Sequence, residues 1–403
     1  MRPEILAPAG DYERLVSAVT FGANAVYLGG DKYGMRAVSA SFDKDTLKKA
    51  VEFAHTRNVK VYLTCNTLPR NEEINEFPQF IADAVSAGID AAIVSDIGIF
   101  GLVKQHAPNL DIHVSTQAGI VNYASANEFY KMGAKRVVLA REMSFSEIKE
   151  LREKTDPNLE IEAFVHGAMC MSVSGRCLIS QYMVNRDANR GECAQPCRWG
   201  FHLVEEKRPN DFYPIYEDEN GSHILNAKDM CMIEYIPELV DAGITSFKIE
   251  GRAKSSYYVS VITNAYRIAV DEYMKDPEQY KLPEWLAEEV TKVSHRQYST
   301  GFFFGQPENG QYYENGGYLR NFDVVAMVDE CKEGYLYCTQ RNKFFKGDTV
   351  EILEPNKPVK ELVITEIINE NGEQIENAPH ALMKIKIPYK GDLAAGSIIR
   401  KEI

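Results

Sequence analysis

The 403-residue sequence has no apolar run approaching the ~20 residues that a bilayer-spanning helix needs. Its opening, MRPEILAPAG, lacks the long apolar core of a secretory signal, so a cytoplasmic location is expected. Basic charge is scarce: 45 Lys and Arg stand against 58 Asp and Glu, a net of −13. A general polyanion binder needs clustered cations, so any nucleic-acid contact must come from a local patch. Three motifs are also missing. No G-x-G-x-x-G follows the first apolar run, which removes the usual dinucleotide fingerprint. No H-E-x-x-H is present, and no Ser–His–Asp constellation can be argued. What remains, 45% hydrophobic and 26% charged, is the balance of a folded chain of two or three domains.

Short β-branched runs alternate with amphipathic stretches from the start. Candidate strands are Glu4–Ala7, Ala25–Leu28, Val59–Thr64, Ala91–Ser95, Asp111–Ser115, Arg136–Leu139 and Ile161–Val165. Each is a few apolar residues long, as a strand buried on both faces of a parallel sheet requires. Between them, Asp45–Arg57 carries Leu47, Ala50, Val51 and Ala54 at helical spacing. Gly22, Gly88, Gly133 and Gly243 each precede a strand, as helix-ending turns do. An eighth strand, Ser246–Ile249, comes late, and a helix from about Ser255 to Lys275 completes the pattern. Eight such units predict a closed, TIM-like (β/α)8 barrel over residues 1–306. The alternative is an open, doubly wound sheet.

The stretch between strands seven and eight, residues 168–242, is far longer than an ordinary connection. Loops after strand C-termini lie on a barrel's catalytic face, so this insertion belongs over the mouth. After a linker at 307–321, residues 322–403 read as strands and turns, a small β-barrel. Its strands are Val324–Val328, Gly334–Cys338, Asp348–Leu353, Glu361–Ile368, Met383–Ile387 and Ser397–Arg400.

Five of the eight cysteines fall between positions 170 and 231: Cys170, Cys177, Cys193, Cys197 and Cys231. Thiolates are soft anionic ligands suited to iron–sulfur clusters and to zinc. The spacing lacks the paired C-x2-C knuckles of zinc ribbons, which favours iron–sulfur. Buried free thiols are the bland alternative, and the one preferred for Cys65, Cys331 and Cys338.

Several long segments carry a resemblance. They are LAPAGD (Leu6–Asp11), the YLGG and YGMRA pair (Tyr27–Ala37), EAFVHGAMC (Glu162–Cys170), SGRCLIS (Ser174–Ser180), NRGECAQPCRW (Asn189–Trp199), NAKDMCMI (Asn226–Ile233) and FKIEGR (Phe247–Arg252). In this order they resemble peptidase family U32, the collagenase-like proteases, over essentially the whole chain. The nearest likeness is to its tRNA hydroxylation members. That resemblance implies a 4Fe-4S cluster, with zinc as the alternative metal. It implies tRNA as partner and prephenate as hydroxyl donor for 5-hydroxyuridine at the wobble position. The implied cluster ligands are Cys170, Cys177, Cys193 and Cys231, with Cys197 matching a family cysteine too, so that Cys193 and Cys197 remain alternatives.

Position nominates further residues. Side chains at strand C-termini face a barrel mouth, which points to Asn66, Gln117, Arg141, Glu142, His166, Lys248, Glu250 and Arg252. Lys248, Glu250 and Arg252 alternate onto one face of an extended segment. There they suit a dicarboxylate such as prephenate, with Glu250 as acid or base. A structural ion-pair network closing the barrel is the equal alternative. His166 reads as a proton donor or a backbone-bonded histidine, and Arg36 as an anion ligand or a solvated loop residue. For RNA, segment 170–200 holds Arg176, Arg186, Arg190 and Arg198 against Asp187 and Glu192, a local +2 beside Trp199 and Phe201. The Arg341–Lys346 turn is a second basic–aromatic run. The favoured function is an enzyme that hydroxylates tRNA. A collagenase-like peptidase is its main competitor, and a cluster-bearing scaffold needing a partner protein of the same family is the third reading.

Overall fold

The computed structural model describes residues 2–35, 42–170, 172, 177, 179–198, 216–218, 221–223, 227–305 and 318–403. Seven parallel strands follow one another in space as in sequence: β1 (Glu4–Pro8), β2 (Ala25–Gly29), β3 (Lys60–Cys65), β4 (Ala91–Val94), β5 (Asp111–Val114), β6 (Arg136–Val138) and β7 (Glu160–Ala168). The eighth, Ser246–Ile249, pairs with β1 on one side and β7 on the other. That double pairing closes the barrel and rules out the open sheet. Each predicted strand lies within a residue or two of its expected place, except that β7 runs three residues past its expected end, to Ala168.

Helix starts are set by side-chain caps: Asp11, Asp43, Asp96, Asn122, Ser144 and Ser255 each accept a backbone N–H of the following turn. The four expected turn glycines all have the left-handed backbone such turns require, φ +97° at Gly22, +92° at Gly88, +103° at Gly133 and +80° at Gly243.

The barrel interior is charged at its N-terminal end. Arg136 Nη1 reaches Glu4 at 2.6 Å and Glu162 at 3.0 Å, while its Nη2 reaches Glu160 at 2.6 Å. Lys248 Nζ binds the other oxygen of Glu162, also at 2.6 Å. Burial alone would raise the Glu4 carboxyl, but the Arg136 charge and hydrogen bonds from Arg136, Tyr62 and Ser246 hold it below the usual range. His113, enclosed against the Tyr62 ring at 4.6 Å, is kept neutral by burial and then by the Arg136 and Lys248 charges. So the Lys248 ammonium itself is tied into this ion-pair network.

The insertion after β7 returns through the strand Asp229–Cys231, which pairs antiparallel with the end of β7 and parallel with Tyr298–Ser299. Gly167 lets the end of β7 pass close to the segment after the eighth strand: its φ is +107°, and a Cβ there would lie 2.4 Å from the Glu250 carbonyl oxygen.

The second domain is one eight-stranded antiparallel sheet curled into a half-barrel. Its end strands, Lys360–Val363 and Gln374–Ile375, are not paired with each other, so closure stops short of a full barrel. The single strand expected at Glu361–Ile368 divides into Lys360–Val363 and Ile367–Asn369. Inward residues such as Val328, Leu336, Cys338, Ile385 and Ile399 form its own core, whereas Leu353 and Ile398 join the barrel's core. The two domains therefore share packing. No helix among the described residues is long and apolar enough to cross a membrane.

Candidate functional site

The C-terminal ends of the strands open into one cavity of about 410 Å³. From the barrel come Tyr27, Thr64, Phe164, Lys248, Glu250 and Arg252; Asn66, Gln117, Arg141 and Glu142 follow from loops after the strands. From the insertion come Cys170, Cys177, Cys193, Cys197 and Arg186. One space thus joins thiols to cations.

The cations are individually positioned. Arg252, buried, donates to Thr64 Oγ1 at 2.9 Å. Gly29 leaves room for it, because a Cβ there would approach Arg252 Nη1 to 2.9 Å. Arg141 lies over the Phe164 ring, 3.8 Å from its centroid, and donates to the Ala168 carbonyl at 2.6 Å. Its other nitrogen stands 3.9 Å from Glu250. The Lys248 ammonium lies 4.6 Å from the Tyr27 ring centroid. Tyr27 OH donates to Ile249 O at 3.0 Å and sits 3.4 Å from Glu250 Oε2. Asn66 accepts the Met35 amide at 3.1 Å, tying the loop after β2 to the loop after β3.

His166 lies elsewhere. It is enclosed by Tyr258, Tyr266 and Tyr298, with Nε2 3.2 Å from Tyr298 OH and Nδ1 3.4 Å from Tyr266 OH. Burial lowers its pKa from 6.5 to about 3, aided by the nearby His295 and Lys254. It is a neutral structural residue away from the cavity wall, so the proton-donor reading gives way. An unfolded histidine takes up its proton near 6.5, whereas folded His166 does so only near 3. The stability it contributes is thus full above about pH 6.5 and is lost as pH falls from there toward 3. Between pH 7 and pH 5 this residue should cost about 2 kcal/mol. Urea unfolding of a His166→Asn variant is expected to show an acid-induced loss smaller by that amount; equal losses would refute the assignment.

Cys231 also stands apart from the cavity wall. Its thiol, beside Tyr266, is pushed up to about 12 by burial. Burial likewise pushes Cys65 and Cys338 up to about 12, as expected of core thiols. Among the described residues no three His, Cys, Asp or Glu side chains converge closely enough to hold one metal ion. A cubane cluster presents one iron to each thiolate, so its ligands stand farther apart than those of a single zinc. Four cavity thiols, with a fifth behind them, are a donor set of the right chemistry for it.

The expected RNA residues divide. Arg190 Nη2 pairs with Glu73 at 2.8 Å, which fastens the insertion to the barrel rather than presenting that nitrogen to phosphate. Arg186 is exposed on the cavity rim. Arg198 ends a short turn, Pro196–Arg198, and its side chain lies outside the described residues, as do Arg36, Arg176, Trp199 and Phe201. In the Arg341–Lys346 turn, Arg341 reaches Glu13 of the barrel at 3.3 Å and Lys346 reaches Glu376 at 3.7 Å. Sequence reasoning missed Tyr27, Thr64 and Phe164. Thr64 lies near the end of β3, where position was an available signal; Tyr27 and Phe164 lie mid-strand in β2 and β7, where it was not.

A closed parallel barrel whose mouth carries a cysteine-bearing insertion, backed by an antiparallel half-barrel, defines the class of protein. The chain belongs to peptidase family U32, whose model matches residues 10–312 while the family's C-terminal domain matches residues 320–400. It is 37% identical over 404 aligned residues to tRNA hydroxylation protein P1 of Bacillus subtilis, covering 99% of this chain and 95% of that one. It is 33% identical to tRNA hydroxylation protein P of Escherichia coli, covering 97% and 95%. It is also 36% identical to a collagenase of Porphyromonas gingivalis, covering 75% and 74%.

Proposed function

We propose that this chain is an iron–sulfur-dependent tRNA hydroxylation enzyme that forms 5-hydroxyuridine at the wobble position, with prephenate as hydroxyl donor. The observation that carries the reading is the cavity, whose lining brings four cysteines together with Lys248, Arg141 and Arg252. Relatives named for tRNA hydroxylation span nearly the whole chain and supply the substrate. Cys170, Cys177 and Cys231, with Cys193 or Cys197, would hold a 4Fe-4S cluster. Such a cluster supplies one-electron chemistry when bound.

The remaining work falls to this chain's own side chains. Arg141 and Arg252 offer planar guanidinium donors to the two carboxylates of a small organic acid, and Lys248, whose ammonium is held by Glu162, lines the same cavity. Phe164 and Tyr27 give that acid an apolar wall. Glu250, within reach of Tyr27 and Arg141, is placed to take or return a proton. A peptidase needs an activated nucleophile, and no histidine stands on the described cavity wall beside a cysteine.

Mass spectrometry of tRNA nucleosides tests this directly. Cells lacking the chain are expected to lose 5-hydroxyuridine derivatives, wild type to restore them, and Glu250→Gln to fail. Unchanged nucleosides in the deletion strain would overturn the reading. So would cleavage of gelatin that survives iron removal and vanishes on a single cavity substitution.

A further inference from the structure

Cross-strand register places a second set of lysines and aromatics together, far from the motifs. In the half-barrel, strand Tyr335–Gln340 alternates strictly: Leu336, Cys338 and Gln340 are buried, while Tyr335, Tyr337 and Thr339 face out. Its neighbour Lys384–Pro388 does the same, with Lys384, Lys386 and Pro388 outward. The register sets Tyr337 opposite Lys386 and Thr339 opposite Lys384. On the other side Lys332 stands opposite Tyr335. The lysines lie over the rings: Lys332 Nζ is 5.0 Å from the Tyr337 centroid and Lys386 Nζ 5.0 Å from that of Tyr335.

This face is continuous with an established interface. The same outward side of the sheet carries Arg400 and Ile398, opposite Val324 and Met327, and there it is covered by the barrel. The barrel's cover is built around buried Arg400; two strands further on the tyrosines, and one strand beyond them Lys386, are only partly covered. Lys332 keeps Glu330 at 2.7 Å and Lys384 keeps Asp329 at 3.0 Å. Lys386 has no carboxylate partner among the described residues, so Lys332, Lys384 and Lys386 against Asp329 and Glu330 leave the strip one net positive charge on a chain of net −13.

We propose that the open half of this sheet face is a docking surface for tRNA, an inference that rests on the tRNA reading above. Lysine ammonium groups that turn from the tyrosines to phosphates would free the two ring faces for unstacked bases or riboses. Positions two apart on a strand all face one way, which is how a sheet presents successive rings to one strand of RNA. The Arg341–Lys346 turn is not needed for it.

The test is binding of fluorescein-labelled bulk tRNA to the full-length, iron-loaded chain, followed by anisotropy across a salt series. Tyr335→Ala/Tyr337→Ala is expected to weaken binding by about 5- to 100-fold, the range for losing base stacking. Lys386→Ala is expected to lower the slope of log affinity against log salt by about one. Tyr337→Phe is expected to bind like wild type, since the ring face is kept. Iron content and melting temperature check that each variant is folded. Wild-type affinity and slope in the alanine variants would overturn this surface while leaving the tRNA reading intact. Failure of the wild-type chain itself to bind tRNA would remove that reading and the surface's occupant together.

Discussion

Alanine at Cys170 or Cys177 is expected to abolish iron binding, from about four irons per chain to none, with loss of the brown colour near about 400 nm. Each would remove one iron's only protein ligand from an exposed cavity wall. Cys65→Ala is expected to keep its iron, because that thiol is enclosed in the barrel core. The other ligands are separated by the same assay. The family resemblance assigns Cys231 with either Cys193 or Cys197, whereas the cavity wall groups Cys193 and Cys197 together. Iron loss in Cys231→Ala would mean that its sulfur leaves Tyr266 when metal enters. Iron retained there, and lost in both Cys193→Ala and Cys197→Ala, would assign the four cavity cysteines. Colourless protein with a single zinc would remove the redox chemistry altogether.

The second large effect concerns how the domains are joined. Arg400, fully buried, donates to both oxygens of Glu289 at 2.7 and 2.6 Å, to Glu351 at 2.8 Å and to Tyr257 OH at 3.1 Å. Burial alone would lower its pKa, but the Glu289 hydrogen bonds and the surrounding charges keep it above the ordinary value. Glu289 belongs to the barrel domain, Arg400 and Glu351 to the half-barrel, so the network crosses the boundary. Arg400→Met leaves buried Glu289 with only the more distant Lys292, 4.0 Å away, which costs about 3–5 kcal/mol. Chemical denaturation is expected to show that loss, and limited proteolysis to release the half-barrel. The double variant Arg400→Met/Glu289→Leu should recover much of the stability, because both charges are gone. A single variant as stable as wild type would mean that apolar packing alone holds the interface.

The barrel's strands were legible because each is a largely apolar run of three to nine residues that must be buried on both faces, whatever surrounds it. The cysteine insertion was legible too, since chain order alone puts a loop after β7 at the mouth. The motifs carried family membership. Contacts made by side chains at their far ends were not legible. Lys248 and Glu162 are 86 positions apart, and only barrel closure brings them to 2.6 Å. His166 occupies a strand end as a catalytic residue would, yet the register shift after Lys248 and the packing of helix Ser256–Lys275 enclose it among tyrosines. Arg190 looked like a phosphate ligand until Glu73, 117 positions away, met it. The lysine–tyrosine strip on the half-barrel is invisible in sequence for the same reason. Tyr337 and Lys386 become neighbours only through strand register. Hydrophobic period and order along the chain fix which segments are strands and helices. Which charges meet is a pairwise matter across long loops, and only the folded chain decides it.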